Sequence, residues 1–301
     1  MIKESFPFRS KYHSLHLLNC HRTFARTARA MSSEEQVDVG IVVALEREVG
    51  LFLFDFPEKT RHTAERAEFL RTTLDGIRIG IAITGPGEER AAAGTRALCD
   101  VMQPKWLISA GYGGALLPQL KVADAVVIEE VVTEEDDRIR LGGSYPFATA
   151  DQEDQFQQTI NGERIRILKG RLLTVNRIVA TPDERTVLAE KSGAAIVDME
   201  TAAVVKVARD RHLPVLAVRA VSDTLETELP PEITTMLEKE GFARWEATAS
   251  ALWKKPRLVK LLWKLKQDTL LASEALAVTL KYLITSLPME RDDASVSREE
   301  S

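Results

Sequence analysis

The reading of the chain turns on two stretches, VDMETAAVVKVA (197–208) and VLAVRAVSD (215–223). Ala194 to Val197 predicts a short strand that runs into Asp198-Met199-Glu200. Thr201 to Arg211 predicts a helix, and Val215 to Val221 a core strand that ends at Ser222-Asp223. Strand, helix and strand in close succession are the unit of α/β architecture, and open α/β sheets place ligand sites where strands end.

Working outward, the same alternation recurs. VDVGIVVAL (37–45) and GIRIGIAIT (76–84) are continuous apolar runs rich in β-branched residues, as expected of strands covered on both faces. The second ends in Gly85-Pro86-Gly87, after which Glu88 to Met102 predicts a helix with acids in its first turn. KWLISA (105–110) predicts a strand stopped by Gly111-Tyr112-Gly113-Gly114, and ADAVVIEEVV (123–132) another. Residues 134–166 are polar and predict loops with one short helix. Regular structure is expected to resume over Arg171 to Ala180. Thr181-Pro182-Asp183-Glu184 then opens a helix, with a capping threonine, proline at the first position and acids behind it.

Four segments follow from these changes of character. Residues 1–36 carry Lys3, Arg9, Lys11, Arg22, Arg26 and Arg29 against the single acid Glu4 before Glu34. With no apolar core of signal-peptide length, they read as an over-extended start ahead of Met31, with a transit-like arm as the alternative. Residues 37–231 hold the α/β body. Residues 232–287 have no strand pattern and predict helices broken at Gly241 and Pro256, and 288–301 predict a disordered polar tail.

Bulk properties narrow the function. The chain has 301 residues, 45% hydrophobic and 28% charged, as for a globular protein with one sizeable core. A net charge of −5 argues against general nucleic-acid binding, and no apolar run approaches the roughly 20 residues that cross a bilayer. Cys20 and Cys99 are the only cysteines, which points to a reducing, cytoplasmic setting and to no cysteine-rich metal site. Of the 5 histidines, three (His13, His16, His21) fall in the N-terminal extension. His62 and His212 form no metal-ligand spacing, and His212 before Leu213-Pro214 reads as a structural turn residue. Chemistry is therefore expected from carboxylates.

Carboxylates and small residues cluster at five strand ends: Glu46-Arg47-Glu48, Gly85-Pro86-Gly87, Gly111-Tyr112-Gly113-Gly114, Asp198-Met199-Glu200 and Ser222-Asp223. Singly, each is explained by helix capping or turns. The glycines at 85–87 lack a dinucleotide fingerprint, since position 90 is arginine. As an ordered set, however, they resemble the purine nucleoside phosphorylase and methylthioadenosine/S-adenosylhomocysteine nucleosidase superfamily from about Val37 to Leu229. The matching elements are ALEREV (44–49), SAGYGGALLPQLKVADAVV (109–127), VDMETAAVVKVA and VLAVRAVSD.

That resemblance implies a three-layer αβα sandwich with a mixed, partly barrel-like central sheet, a homodimer and no metal or organic cofactor. It also implies cleavage of the bond between a purine and ribose, which builds positive charge on the sugar and negative charge on the departing base. Carried over by position, Asp223 is the acid at the purine, with Ser222 beside it. Glu200 accepts from the ribose hydroxyls, Met199 packs against the sugar, and Glu48, rather than the competing Glu46, activates water. Asp198, Gly111, Tyr112, Gly113 and Val179 complete the expected substrate-binding set; Val179 falls near the position of the purine-stacking aromatic. Ser109 stands where hexameric phosphorylases place a phosphate-binding arginine, which favours water as nucleophile. The backbone amides of Gly85 and Gly87 at a helix N-terminus remain an alternative phosphate site.

The stretch WKKPRLVKLLWKLK (253–266) carries six basic residues and no acids, with Leu258, Leu261, Leu262 and Leu265 at helical spacing. It suits either peripheral contact with the cytoplasmic face of a membrane or packing on the body or a partner subunit. Together with the GPG turn and the LPPE segment (229–232), it is similar to the hopanoid-associated phosphorylases, which implies adenosylhopane as substrate. Three readings stay open: a purine-nucleoside hydrolase, a phosphate-dependent phosphorylase, and a non-catalytic nucleoside-binding protein.

Overall fold

The computed structural model describes residues 36–56, 59–64, 67–141, 156–160, 163–240 and 256–289. The basic extension before residue 36, residues 253–255 of the basic stretch and the tail beyond 289 lie outside them. In chain order the elements are β1 (Val39–Val43), α1 (Glu46–Phe54), β2 (Thr60–Ala64), β3 (Ala67–Leu74), β4 (Ile77–Ile83) and α2 (Glu88–Met102). Then come β5 (Trp106–Ala115), β6 (Ala125–Thr133), β7 (Arg138–Arg140), β8 (Phe156–Ile160), β9 (Glu163–Thr174) and α3 (Pro182–Ser192). The last are β10 (Ile196–Asp198), α4 (Thr201–Asp210), β11 (Val215–Asp223), α5 (Pro231–Glu240) and α6 (Pro256–Thr285).

The strands form one mixed sheet in the order β10-β9-β6-β11-β5-β1-β4-β3-β2. β5 also pairs antiparallel with β10, which closes β10, β9, β6, β11 and β5 into a ring. The result is a sheet that is barrel-like at one end and open at the other. Alternation along β1 assigns the two faces: Val39, Ile41 and Val43 pack toward α1 and α6, and Val42 packs toward α2 and α4. Helices therefore cover both faces, as the resemblance implies.

Three sequence expectations change. The glycines at 111–114 do not stop β5, which continues through them to Ala115. Gly113 is needed there because a Cβ would lie 2.7 Å from Cγ1 of Ile196, on the strand that closes the ring. Residues 134–166 supply β7, β8 and the start of β9, and no helix appears among those described. β9 ends at Thr174, so 175–180 is irregular. By contrast, α2 spans the expected residues, and Thr181 caps α3 by accepting the Glu184 N–H at 3.3 Å.

The second half of α6 enters the core. Leu276, Leu280, Leu283 and Ile284 have no exposed surface and share a cluster with Phe52 of α1 and with β1 and β4. Truncating Leu276 to alanine should therefore cost about 2–5 kcal/mol, the range for a fully buried leucine in a site that relaxes only partly. Denaturant melts would show this as a lower midpoint at unchanged slope, and a neutral substitution would mean that α6 is not integral to the fold.

Candidate active site

The carboxylates named from the sequence meet at one cavity of about 220 Å³ at the strand ends. Glu48 enters from the first turn of α1, Tyr112 and Gly113 from β5, Asp198, Met199 and Glu200 from the β10–α4 junction, and Ser222 and Asp223 from the end of β11. Val179 lines the wall just before α3. Gly111 does not line the cavity but sits behind Glu48; a Cβ there would approach Glu48 Oε1 to 2.8 Å.

Glu48 is fixed at both oxygens. Its Oε2 accepts the Leu45 N–H at 2.8 Å, the reach-back contact of a helix N-terminus, and its Oε1 accepts the Tyr112 N–H at 3.1 Å. It is 5% exposed, and burial pushes its carboxyl above the usual carboxylate range. Glu46 pairs with Arg61 in solvent; two residues apart on α1, the two acids that the sequence left in competition fall on different sides of the helix.

Glu200 accepts the Gly87 N–H at 2.8 Å and the Met199 N–H at 3.3 Å. Burial, followed by the nearby charge of Asp198, pushes its carboxyl up to about 8. Asp198 belongs to a buried network behind the cavity. Arg219 donates to Asp198 Oδ2 through Nε at 3.0 Å and Nη2 at 2.8 Å, and to Ser109 Oγ at 2.9 Å. Thr174 donates to Asp198 Oδ1 at 2.8 Å, and the Thr201 N–H to Oδ2 at 2.9 Å. Sequence reasoning missed Arg219, although an arginine inside the apolar run VLAVRAV signals a buried, paired cation.

At Asp223, Ser222 Oγ donates to Oδ1 at 2.6 Å and the buried Arg185 pairs with Oδ2. Arg185 was also missed, and α3 offers no pattern that would have singled it out. Tyr112 is the one aromatic side chain among the described lining residues. Its hydroxyl donates to the Arg47 carbonyl at 3.0 Å and lies 2.5 Å from Ser273 Oγ, which ties the cavity rim to α6.

The expected phosphate groups are engaged elsewhere. The Gly85 N–H donates to the Ala44 carbonyl at 2.9 Å, the Gly87 N–H is taken by Glu200, and Pro86 has no N–H. Glu88 and Glu89 add negative charge in the first turn of α2. Ser109 is fully buried against Arg219 and does not line the cavity. Among the described residues, no group of three or more histidine, cysteine, aspartate or glutamate side chains is arranged to hold a metal ion.

The cavity also has apolar lining residues. Leu229, Ile233 of α5, and Leu265 and Thr269 of α6 line it, and Trp263 lies nearby along α6 with 64% of its surface exposed. Among the described residues no helix is long and apolar enough to cross a membrane.

A sequence profile of the phosphorylase superfamily matches residues 38–255, well over half of the chain. The chain belongs to the phosphorylase superfamily. Within it, the chain is 27% identical over 214 residues to a 5'-methylthioadenosine/S-adenosylhomocysteine nucleosidase of Anoxybacillus flavithermus, covering 67% of this chain and 92% of that protein. A Staphylococcus haemolyticus protein of the same description is 26% identical over 195 residues, covering 62% and 86%. The solved structure of such a nucleosidase from Neisseria meningitidis, in complex with methylthio-immucillin-A, matches with a TM-score of 0.62 at 18% identity. That match covers 83% of this chain and 99% of the other. The superfamily membership and the fold implied by the sequence resemblance are borne out.

Two predictions follow from the buried charges. Between pH about 4.5 and 8 the folded protein keeps a proton on Glu200 that the unfolded chain has lost, so stability falls as pH rises through that window. Thermal melts of Glu200→Gln should show a flatter decline of Tm from pH 5 to 8 than wild type; parallel declines would mean that Glu200 is not responsible. Replacing Arg219 by methionine leaves Asp198 buried without its cation and should cost about 3–5 kcal/mol in urea unfolding.

Proposed function

We propose that this protein hydrolyses the N-ribosidic bond of an adenosyl nucleoside and releases the free base. The observation that carries the reading is the convergence of Glu48, Glu200 and Asp223, from three separate strand ends, on one cavity of about 220 Å³. Asp223 acts at the purine, giving a proton or hydrogen bond to the base as the C1′–N9 electron pair moves onto it. Glu200 accepts from the ribose hydroxyls and holds the ring where positive charge develops. Glu48, with its carboxyl raised by burial, takes a proton from the attacking water as the new C1′–O bond forms. The relatives bearing the nucleosidase description support the same reaction class.

Water rather than phosphate is the nucleophile in this reading, because the amides of Gly85 and Gly87 are occupied and Ser109 lies behind the cavity. The ribose 5′ substituent is apolar and faces Leu229, Ile233 and Leu265. An adenosyl lipid such as adenosylhopane, drawn from the cytoplasmic face of a membrane beside Trp263 and the basic residues of α6, fits that wall. A homodimer belongs to the same reading.

The test is adenine release from methylthioadenosine, S-adenosylhomocysteine and a vesicle-presented adenosyl lipid, each with and without phosphate. Release should be phosphate-independent, and Asp223→Asn and Glu48→Gln should each lower kcat by about 10²–10⁴. Phosphate-dependent formation of a ribose 1-phosphate would establish phosphorolysis instead, and tight nucleoside binding by a folded protein without turnover would establish a binding protein. Turnover of the two soluble substrates with none of the lipid would remove the membrane reading.

A further inference from the structure

Arg185 has no part in the sequence-derived site, yet it is one of the two arginines buried to 2% exposure among the described residues. Its Nη2 donates to the Val179 carbonyl at 3.1 Å and pairs with Asp223 Oδ2. Its Nη1 donates to the Thr224 carbonyl at 3.1 Å and the Ala115 carbonyl at 3.4 Å. Three carbonyls from three separate segments thus fix the plane of the guanidinium, and a single carboxylate answers its charge. A buried ion pair adds little stability over apolar side chains of the same volume, so packing alone is a weak reason for an arginine here.

The asymmetry of the pair points to function. The Arg185 side chain is 2% exposed, whereas that of Asp223 is 21% exposed and faces the cavity. Arg185 also lines the cavity, but it is almost wholly buried against Asp223, and Asp223 presents the exposed part of the pair. With Ser222 on Oδ1, both oxygens are gripped and the carboxylate cannot rotate. Of the other charged groups lining the cavity, Glu48 and Glu200 are acids and Arg47 and Arg177 are cations, and Asp268 of α6 is close enough for the charge of Asp223 to act on it. Among the described residues, Arg185 is the cation in contact with Asp223.

We infer that Arg185 is a positioning residue for the proposed reaction: it holds the Asp223 carboxyl group in plane toward the purine and supplies a fixed positive charge beside it. This rests on the N-ribosidic reading above. As the C1′–N9 bond breaks and the electron pair passes to the base, a protonated Asp223 carboxyl gives its proton to the purine and is left as the carboxylate. A pre-oriented guanidinium in a water-poor setting meets that charge without reorganising. The role is confined to the leaving-group side; water activation at Glu48 does not involve it.

The experiment is a double-mutant cycle on kcat and KM for adenine release, using Arg185→Met, Arg185→Lys, Asp223→Asn and the two combinations. Arg185→Met should lower kcat by at least about tenfold with KM within about threefold, and Arg185→Lys should recover part of the loss because it keeps the charge without the planar fork. In the Asp223→Asn background neither substitution should change kcat by more than about twofold, because Arg185 acts through Asp223. Thermal melts confirm that each variant is folded; if Arg185→Met is not, Arg185→Lys carries the same comparison. Equal losses in both backgrounds, or full activity of Arg185→Met, overturn the inference while wild-type turnover stands. A folded wild type that releases no base from any substrate overturns the reaction itself, and the role of Arg185 with it.

Discussion

Strand β5 has three neighbours, and much else follows from how closely they approach it. It pairs in parallel with β1 and β11 and antiparallel with β10, and the last contact closes the ring. Such contact on every side requires positions without side chains. At Gly113 the space of a Cβ is occupied by Ile196, and at Gly111 by the carboxylate of Glu48. The glycines thus act as contact points rather than as a flexible loop. By bringing α1, β10 and β11 close around one strand, they gather the acids from those elements at a single cavity.

Concentrating carboxylates in a small space raises an electrostatic problem that the structure answers in three ways. Asp198 is neutralised outright by Arg219, with both side chains almost wholly buried. Asp223 is paired with the buried Arg185 yet remains partly open to the cavity. Glu48 and Glu200 receive main-chain N–H groups but no guanidinium contact, and both carboxyls are held above their ordinary range. Acids of one chemical type are thereby given different partners and different access to the cavity by what surrounds them.

The α6 helix joins structure and site. Its second half lies in the core beside α1, while Ser273 meets the Tyr112 hydroxyl and Leu265 and Thr269 form part of the cavity wall. A helix that reads as an appendage in the sequence therefore shapes one side of the cavity. Leu265, with Ile233 of α5, adds apolar surface to a cavity otherwise rich in acids.

The sequence by itself determined the α/β alternation, the helix over 88–102, the capped start at Thr181 and the strand-end acids, because periodicity, caps and turn chemistry are local. It also carried the superfamily resemblance, because the motifs around Glu48, Asp198-Met199-Glu200 and Ser222-Asp223 are contiguous in the chain. Local patterns could not show that the glycines at 111–114 continue a strand, since what they make room for, Glu48 and Ile196, lies far away in sequence. Nor could they show that Arg185 is buried, which acid answers Arg219, that the Gly87 amide is taken by Glu200, or that α6 closes the core. Each of these depends on which distant group occupies the adjoining space, and a contact between remote segments leaves no periodic trace in either one.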